Sequence, residues 1–192
     1  YENPQTNARY LMHDTTMHGV QSLDPQQRLT PQAYYTPINE VFRRMLTRGN
    51  LPIAVTGLGV GTLKCLAKQG QKIDLYEINP MSQGIAENSD FFTYMRDCPG
   101  SSRVLLGDAR IRLAEQPQGY YGVIVMDAFS SDAVPNHLLT QEALDIYFDK
   151  LAPDGLLIFH TTNRHVDLWP LLAAQARVRG VAAYGKFFEA PK

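Results

Sequence analysis

Ile53-Ala54-Val55-Thr56-Gly57-Leu58-Gly59-Val60-Gly61-Thr62 is a short apolar, β-branched run that breaks directly into alternating glycines. The first half reads as a buried strand, and the glycines that follow permit a tight turn and a close approach of backbone to a ligand. A helix opening after the turn would add unpaired N–H groups there. The same succession recurs outward from this point. Strand-like runs are expected at Ile53–Thr56, Lys72–Tyr76, Arg103–Leu106, Gly122–Met126 and Leu156–His160, each followed by a stretch of helical character. Alternation of that kind covers both faces of the strands with helices, so the fold class is α/β with a mainly parallel, doubly wound sheet.

The flanking segments fit the scheme. Over Thr140–Leu151 the residues Leu144, Tyr147, Phe148 and Leu151 make one apolar stripe while Asp145 and Asp149 face away, and Pro153-Asp154-Gly155 should turn the chain into the next strand. Val166–Val178 is the last expected helix, with Pro170 tolerable only near its first turn. Upstream, Ile38–Leu46 has apolar residues at helical spacing, and Gly49-Asn50 ends it. Before it, Tyr10 to Gln21 reads as a β-hairpin region and Asp24 to Pro37 as a loop. Residues 1–37 are therefore expected to form a small N-terminal β-rich lobe, and residues 38–192 the α/β domain.

With 18 basic and 19 acidic residues and a formal net charge of −1, the chain has no global positive field to gather nucleic acid. No apolar run approaches the roughly 20 residues that span a bilayer. Cys65 and Cys98 are too few for a disulfide framework, which makes a reducing, cytoplasmic setting the expectation. The chain opens on Tyr1 and closes on Ala190-Pro191-Lys192, as a piece of a longer protein would.

The spacing of Gly57, Gly59 and Gly61 is GxGxG, not the GxGxxG of a dinucleotide site, since position 62 is Thr. It is the spacing of S-adenosylmethionine-type sites, although a tight strand-to-helix turn alone would also account for it. Glu77 ends the second strand, where a carboxylate can accept hydrogen bonds from both ribose hydroxyls. Asp108, in Gly107-Asp108-Ala109 after the third strand, could accept from an adenine amino group. Either acid alone is equally a solvated strand end or a helix N-cap. Asp127 ends the fourth strand and enters Ala128-Phe129-Ser130-Ser131-Asp132, which reads either as an Asx turn with capping residues or as paired carboxylates for a cationic substrate. The histidines at 13, 18, 137, 160 and 165 show neither H-x-x-x-H nor H-E-x-x-H spacing, so no metal site is expected. Most are expected on surfaces or loops. His160 differs because it leaves the fifth strand at the ligand edge. Ser130 and Ser131 lie outside any Gly-x-Ser-x-Gly elbow, so a hydrolase reading fails.

The order glycine loop, Leu75-Tyr76-Glu77-Ile78, Gly107-Asp108-Ala109 and Asp127 with Ser130-Ser131-Asp132 resembles the spermidine/spermine synthases, the aminopropyltransferases. His18-Gly19-Val20-Gln21 and Tyr34-Tyr35 are similar to two front segments of that family. Met12–Gln21, Pro31–Tyr35, Asp127–Asp132 and His160–Arg164 resemble more closely the bacterial spermidine-synthase-like domains often attached to a membrane-spanning, transporter-like region. The resemblance spans about residues 9 to 175.

What it implies is a Rossmann-like class I S-adenosylmethionine-dependent transferase fold. The donor would be decarboxylated S-adenosylmethionine or S-adenosylmethionine, held by Gln21, Gly57, Gly59, Gly61, Glu77 and Asp108. It also implies a small-molecule amine acceptor beside Asp127 as catalytic residue, with Tyr34 or Tyr35 as an aromatic wall, Asp132 as a second anchor and His160 near the substrate. A homodimer and an attached membrane region outside this chain are compatible with it, with the domain on the cytoplasmic side. Departures from the pattern concern the amine half. Val60 stands where the synthases carry an amine-binding Asp, Thr36 follows Tyr34-Tyr35 where an acid is usual, one extra residue precedes Ser130-Ser131-Asp132, and His160 replaces a frequent Gln. Aminopropyl transfer, methyl transfer and nucleoside binding without chemistry all remain open on the sequence.

Overall fold

The computed structural model describes residues 1–13, 16–32, 35, 49–128, 135–161 and 166–186. The helix expected over Ile38–Leu46, together with Tyr34 and Asp132, lies outside those residues. Strands β1 (Glu2–Asn3), β2 (Ala8–His13) and β3 (Thr16–Ser22) form an antiparallel sheet. Strands β4 (Ile53–Thr56), β5 (Lys72–Glu77), β6 (Ser101–Leu106), β7 (Tyr121–Met126) and β8 (Leu151–Phe159) form a parallel sheet in the order β6-β5-β4-β7-β8. Between them run helices α1 (Pro80–Glu87), α2 (Tyr94–Asp97), α3 (Ala109–Ala114), α4 (Gln141–Lys150) and α5 (Trp169–Val178), with 3-10 turns at Thr62–Leu66 and Asn136–Leu138.

β4 shows why its apolar run is continuous. Ile53 and Val55 pack with Leu58, Ile73 and Leu75 on one face, while Ala54 packs with Tyr76, Ile124 and Met126 on the other. Each face is buried, so no polar alternation is needed. The chain winds outward from β4 through β5 to β6, then returns to the other side of β4 as β7. The carboxyl ends of β4 and β7 therefore flank the point where the winding reverses, which is where ligands bind in such sheets.

Helix α4 follows its expected stripe. Thr140 Oγ1 accepts from the Ala143 N–H at 3.2 Å, and Ala143, Leu144 and Tyr147 are buried. Pro170 falls in the first turn of α5, where its missing N–H costs nothing.

Some expectations change. The segment after the glycine loop is a 3-10 turn instead of an α-helix, closed by bonds from Lys64 N to Gly61 O and from Ala67 N to Lys64 O. Ala67 is already extended, so the turn has no room to propagate. β8 starts at Leu151, straight out of α4, and absorbs Pro153-Asp154-Gly155 as an irregularity: Tyr121 pairs with Leu151 but Val123 with Leu156. β8 is an edge strand, where a proline without a ladder N–H is tolerated. Cys65 and Cys98, expected to be free, are joined as a disulfide with Cα atoms 4.7 Å apart. They lie 33 residues apart in sequence, so only the packing of α2 beside the 3-10 turn brings them together.

The antiparallel sheet is fastened to the α/β body by specific contacts. A Cβ on Gly19 would lie 2.4 Å from Val60, so only glycine lets β3 rest there. Tyr94 Oη donates to Val20 O at 3.0 Å, and the Arg9 guanidinium donates to the carbonyls of Asp90 and Phe91.

Candidate functional site

Four consecutive strand ends of the parallel sheet meet one cleft of roughly 530 Å³. Along the order β6, β5, β4, β7 they present Asp108, Glu77, the glycine loop and Asp127, with neighbouring strands spaced about 4.8 Å apart. The glycine loop forms the floor and is tightly enclosed. Gly57 has φ 93°, and a Cβ there would fall 2.4 Å from the Asp127 carbonyl oxygen. Gly59 has φ 53°, and its Cβ would fall 2.5 Å from the His18 carbonyl oxygen. A side chain at either position is excluded by conformation and by space.

Glu77 is held by the backbone. Its Oε2 accepts from Leu58 N–H at 3.2 Å and its Oε1 from Asn79 N–H at 2.8 Å, so the carboxylate ties β5 to the glycine loop. Each oxygen has a second lone pair for a ligand hydroxyl. Asp108 does serve as an N-cap: Oδ1 accepts from Ile111 N–H at 3.1 Å, and Oδ2 pairs with His137 Nε2 at 2.9 Å. It lines the cleft as well.

Asp127 is largely enclosed, its side chain 6% exposed, and its Oδ1 lies 2.6 Å from Nδ1 of His160, 16% exposed. A carboxylate can only accept, so Nδ1–H is the donor. Asp127 N–H donates to Thr56 O at 2.9 Å, which fixes the end of β7 against β4. The two residues predicted separately, one as catalytic and one near substrate, are thus a hydrogen-bonded pair.

Tyr35 is buried and lines the cleft beside Gly59. Gln21 does not line it. Its side chain bridges Thr93, accepting from Thr93 N–H at 3.0 Å and donating to Thr93 Oγ1 at 3.0 Å, and it donates to Arg28 O at 3.1 Å. Those bonds fasten the front sheet and leave the amide committed to protein. Gly61 lies behind the cleft against Met95, and Val60 is buried with Phe92 and Tyr94 instead of facing a ligand. Tyr34 and Asp132 fall outside the described residues.

The sequence marks His18 only as part of the front segment His18-Gly19-Val20-Gln21, with Gln21 as the ligand residue, and does not mark His13 or His137; all three histidines line the cleft. Their side chains reach it only through sheet register or through the pairing with Asp108. Burial lowers the pKa of His18, with a further lowering from His13 and a partial opposing effect of Glu77. Among the described residues, no cluster of three or more His, Cys, Asp or Glu is placed to hold a metal ion, and no helix is long and apolar enough to cross a membrane.

No protein-family model matches the chain. The polyamine aminopropyltransferase of Vibrio vulnificus is 32% identical over 114 residues, covering 57% of this chain and 37% of that protein. The N-terminal histidine N-methyltransferase of Emericella nidulans is 29% identical over 175 residues, covering 81% of this chain and 30% of that protein. The crystal structure of a probable spermidine synthase from Corynebacterium glutamicum superposes with a TM-score of 0.66 at 16% identity, covering 83% of this chain and 58% of that one. The fold is the class I S-adenosylmethionine-dependent methyltransferase-like Rossmann fold. Its relatives by sequence are transferases of two kinds, an aminopropyltransferase and a methyltransferase. The chain spans about a third of the length of these curated relatives.

Proposed function

We propose that this chain is the nucleoside-binding and catalytic part of a spermidine-synthase-like transferase, which moves an aminopropyl group from decarboxylated S-adenosylmethionine to a small amine. The observation that carries the reading is the row of Asp108, Glu77, glycine loop and Asp127 across adjacent strand ends, with Asp127 enclosed and paired to His160. Adenine would lie by Asp108, ribose on Glu77, the sulfonium over the glycine loop, and the acceptor at Asp127. The relative in Vibrio vulnificus supports the choice of transferred group.

The chemistry asks little of the leaving group. The acceptor nitrogen forms a bond to the donor's propyl carbon, the carbon–sulfur pair stays on sulfur, and the sulfonium becomes a neutral thioether. What must be arranged is a neutral amine, since an alkylamine with a pKa near lysine's 10.4 is mostly protonated at neutral pH. Asp127 takes that proton, and His160 Nδ1–H holds Oδ1 so that Oδ2 faces the acceptor. Placing nitrogen about 3–3.5 Å from the carbon supplies most of the acceleration.

Methyl transfer is the second reading, supported by the relative in Emericella nidulans, and Val60, buried in the core, supplies no carboxylate for the amine of an aminopropyl donor. Incubation with each donor and a panel of mono-, di- and polyamines, read by mass spectrometry, separates the two. An aminopropylated product supports the first reading. Methylated product alone selects the second, and no product with either donor overturns both.

A further inference from the structure

β2 and β3 do not pair evenly. Leu11 is opposite Gly19 and Met12 is opposite Met17, so His18 is an extra residue, a β-bulge with no partner across the ladder. A bulge bends its strand and redirects side chains, and such irregularities concentrate beside functional sites. Here Met17 and His18, consecutive in a strand, both line the cleft. His13, on the other arm of the hairpin, joins them, its ring centroid 6.0 Å from that of His18. The His18 carbonyl sits directly over Gly59, so the histidine wall stands above the end of β4.

That position matters because of the order of the strand ends. With adenine over β6 and ribose over β5, the 5′ substituent of a nucleoside crosses β4. Given the S-adenosyl ligand proposed above, we infer that His13 and His18 form the wall facing the donor's sulfonium, and that His18 makes binding of that sulfonium depend on its own charge. A protonated His18 repels the sulfonium; a neutral imidazole does not. The thioether product carries no such charge and is held equally by both forms.

The charged groups acting on His18 are His13 from β2 and the Glu77 carboxylate from the end of β5, and the Tyr35 phenol lies beside Gly59, where the His18 carbonyl also sits. Burial and His13 together outweigh Glu77 and lower the pKa of His18 below its ordinary 6.5. His18 is therefore predominantly neutral at pH 7 and above. Exclusion of one proton by a bound cation weakens binding by about tenfold for each pH unit below the free imidazole's pKa. The sign is fixed: sulfonium affinity falls as pH falls, while thioether affinity changes little.

Calorimetry between pH 7.5 and 5.0 tests this with matched pairs, S-adenosylmethionine against S-adenosylhomocysteine and decarboxylated S-adenosylmethionine against methylthioadenosine. Each pair shares its adenosine contacts, so pH effects on those contacts cancel in the ratio, and comparison with His18→Gln isolates the part due to His18 from that of other groups that sense the sulfonium charge. The expected result is a sulfonium-to-thioether affinity ratio that falls progressively as the pH is lowered across this range. His18→Gln should flatten the ratio, and His13→Gln should move the drop to higher pH by removing a like-charged neighbour. A ratio independent of pH in the wild-type protein overturns the inference, as does an undiminished drop in His18→Gln. If all four ligands fail to bind at pH 7.5, the nucleoside reading itself falls, and this inference with it.

Discussion

Replacing Asp127 by Asn separates proton transfer from binding. The carboxamide keeps an oxygen for the His160 Nδ1–H now 2.6 Å from Oδ1, so the geometry of the pair survives while its charge is lost. A charge-assisted bond becomes a neutral one, a loss of about 1 kcal/mol, or about 2–4 °C in Tm for a chain of this size. The rate should suffer more. A carboxamide cannot accept the amine's proton, and loss of a general base costs about 10²–10⁴-fold, or about 2.7–5.5 kcal/mol of barrier. Single-turnover kinetics at saturating donor and amine, at 25 °C, measures that cost, while calorimetry with methylthioadenosine confirms intact binding. Alkaline pH supplies the variant with neutral amine from solution, so its rate should climb toward the wild-type value between pH 7 and 9. Turnover at pH 7 within threefold of wild type would refute the role of Asp127 as base.

Glu77→Ala removes the acceptor for Leu58 N–H and Asn79 N–H as well as for the ribose, so affinity for methylthioadenosine should fall by about 1–3 kcal/mol by calorimetry; unchanged affinity would rule out the ribose assignment. Gly57→Ala places a Cβ 2.4 Å from the Asp127 carbonyl at φ 93°, and should lower stability by about 2 kcal/mol or more in urea denaturation; an unshifted midpoint would contradict the enclosure of the glycine loop. Tyr121→Phe deletes a hydroxyl that donates to Asp74 Oδ2 at 2.5 Å and lies 2.6 Å from the Tyr76 hydroxyl, all beneath the sheet. A cost of about 1–3 kcal/mol is expected in the same denaturation assay, with donor affinity unchanged.

The strands, their mainly parallel arrangement and the acids and glycines at their ends were legible in the chain because they depend on local signals. A run such as Ile53–Thr56, buried on both faces, must be continuously apolar, and the turn after it must be glycine where φ is positive. Asp108, Glu77 and Asp127 could be placed because parallel strands put their carboxyl ends on one edge. The front of the cleft could not be read in this way. Whether Gln21 or His18 faces a ligand depends on a one-residue bulge between Leu11 and Met12, and a shift of one residue exchanges the two faces of a strand. The Asp127–His160 and Cys65–Cys98 pairs likewise join residues 33 positions apart in each case, and only the packed sheet and helices set those distances.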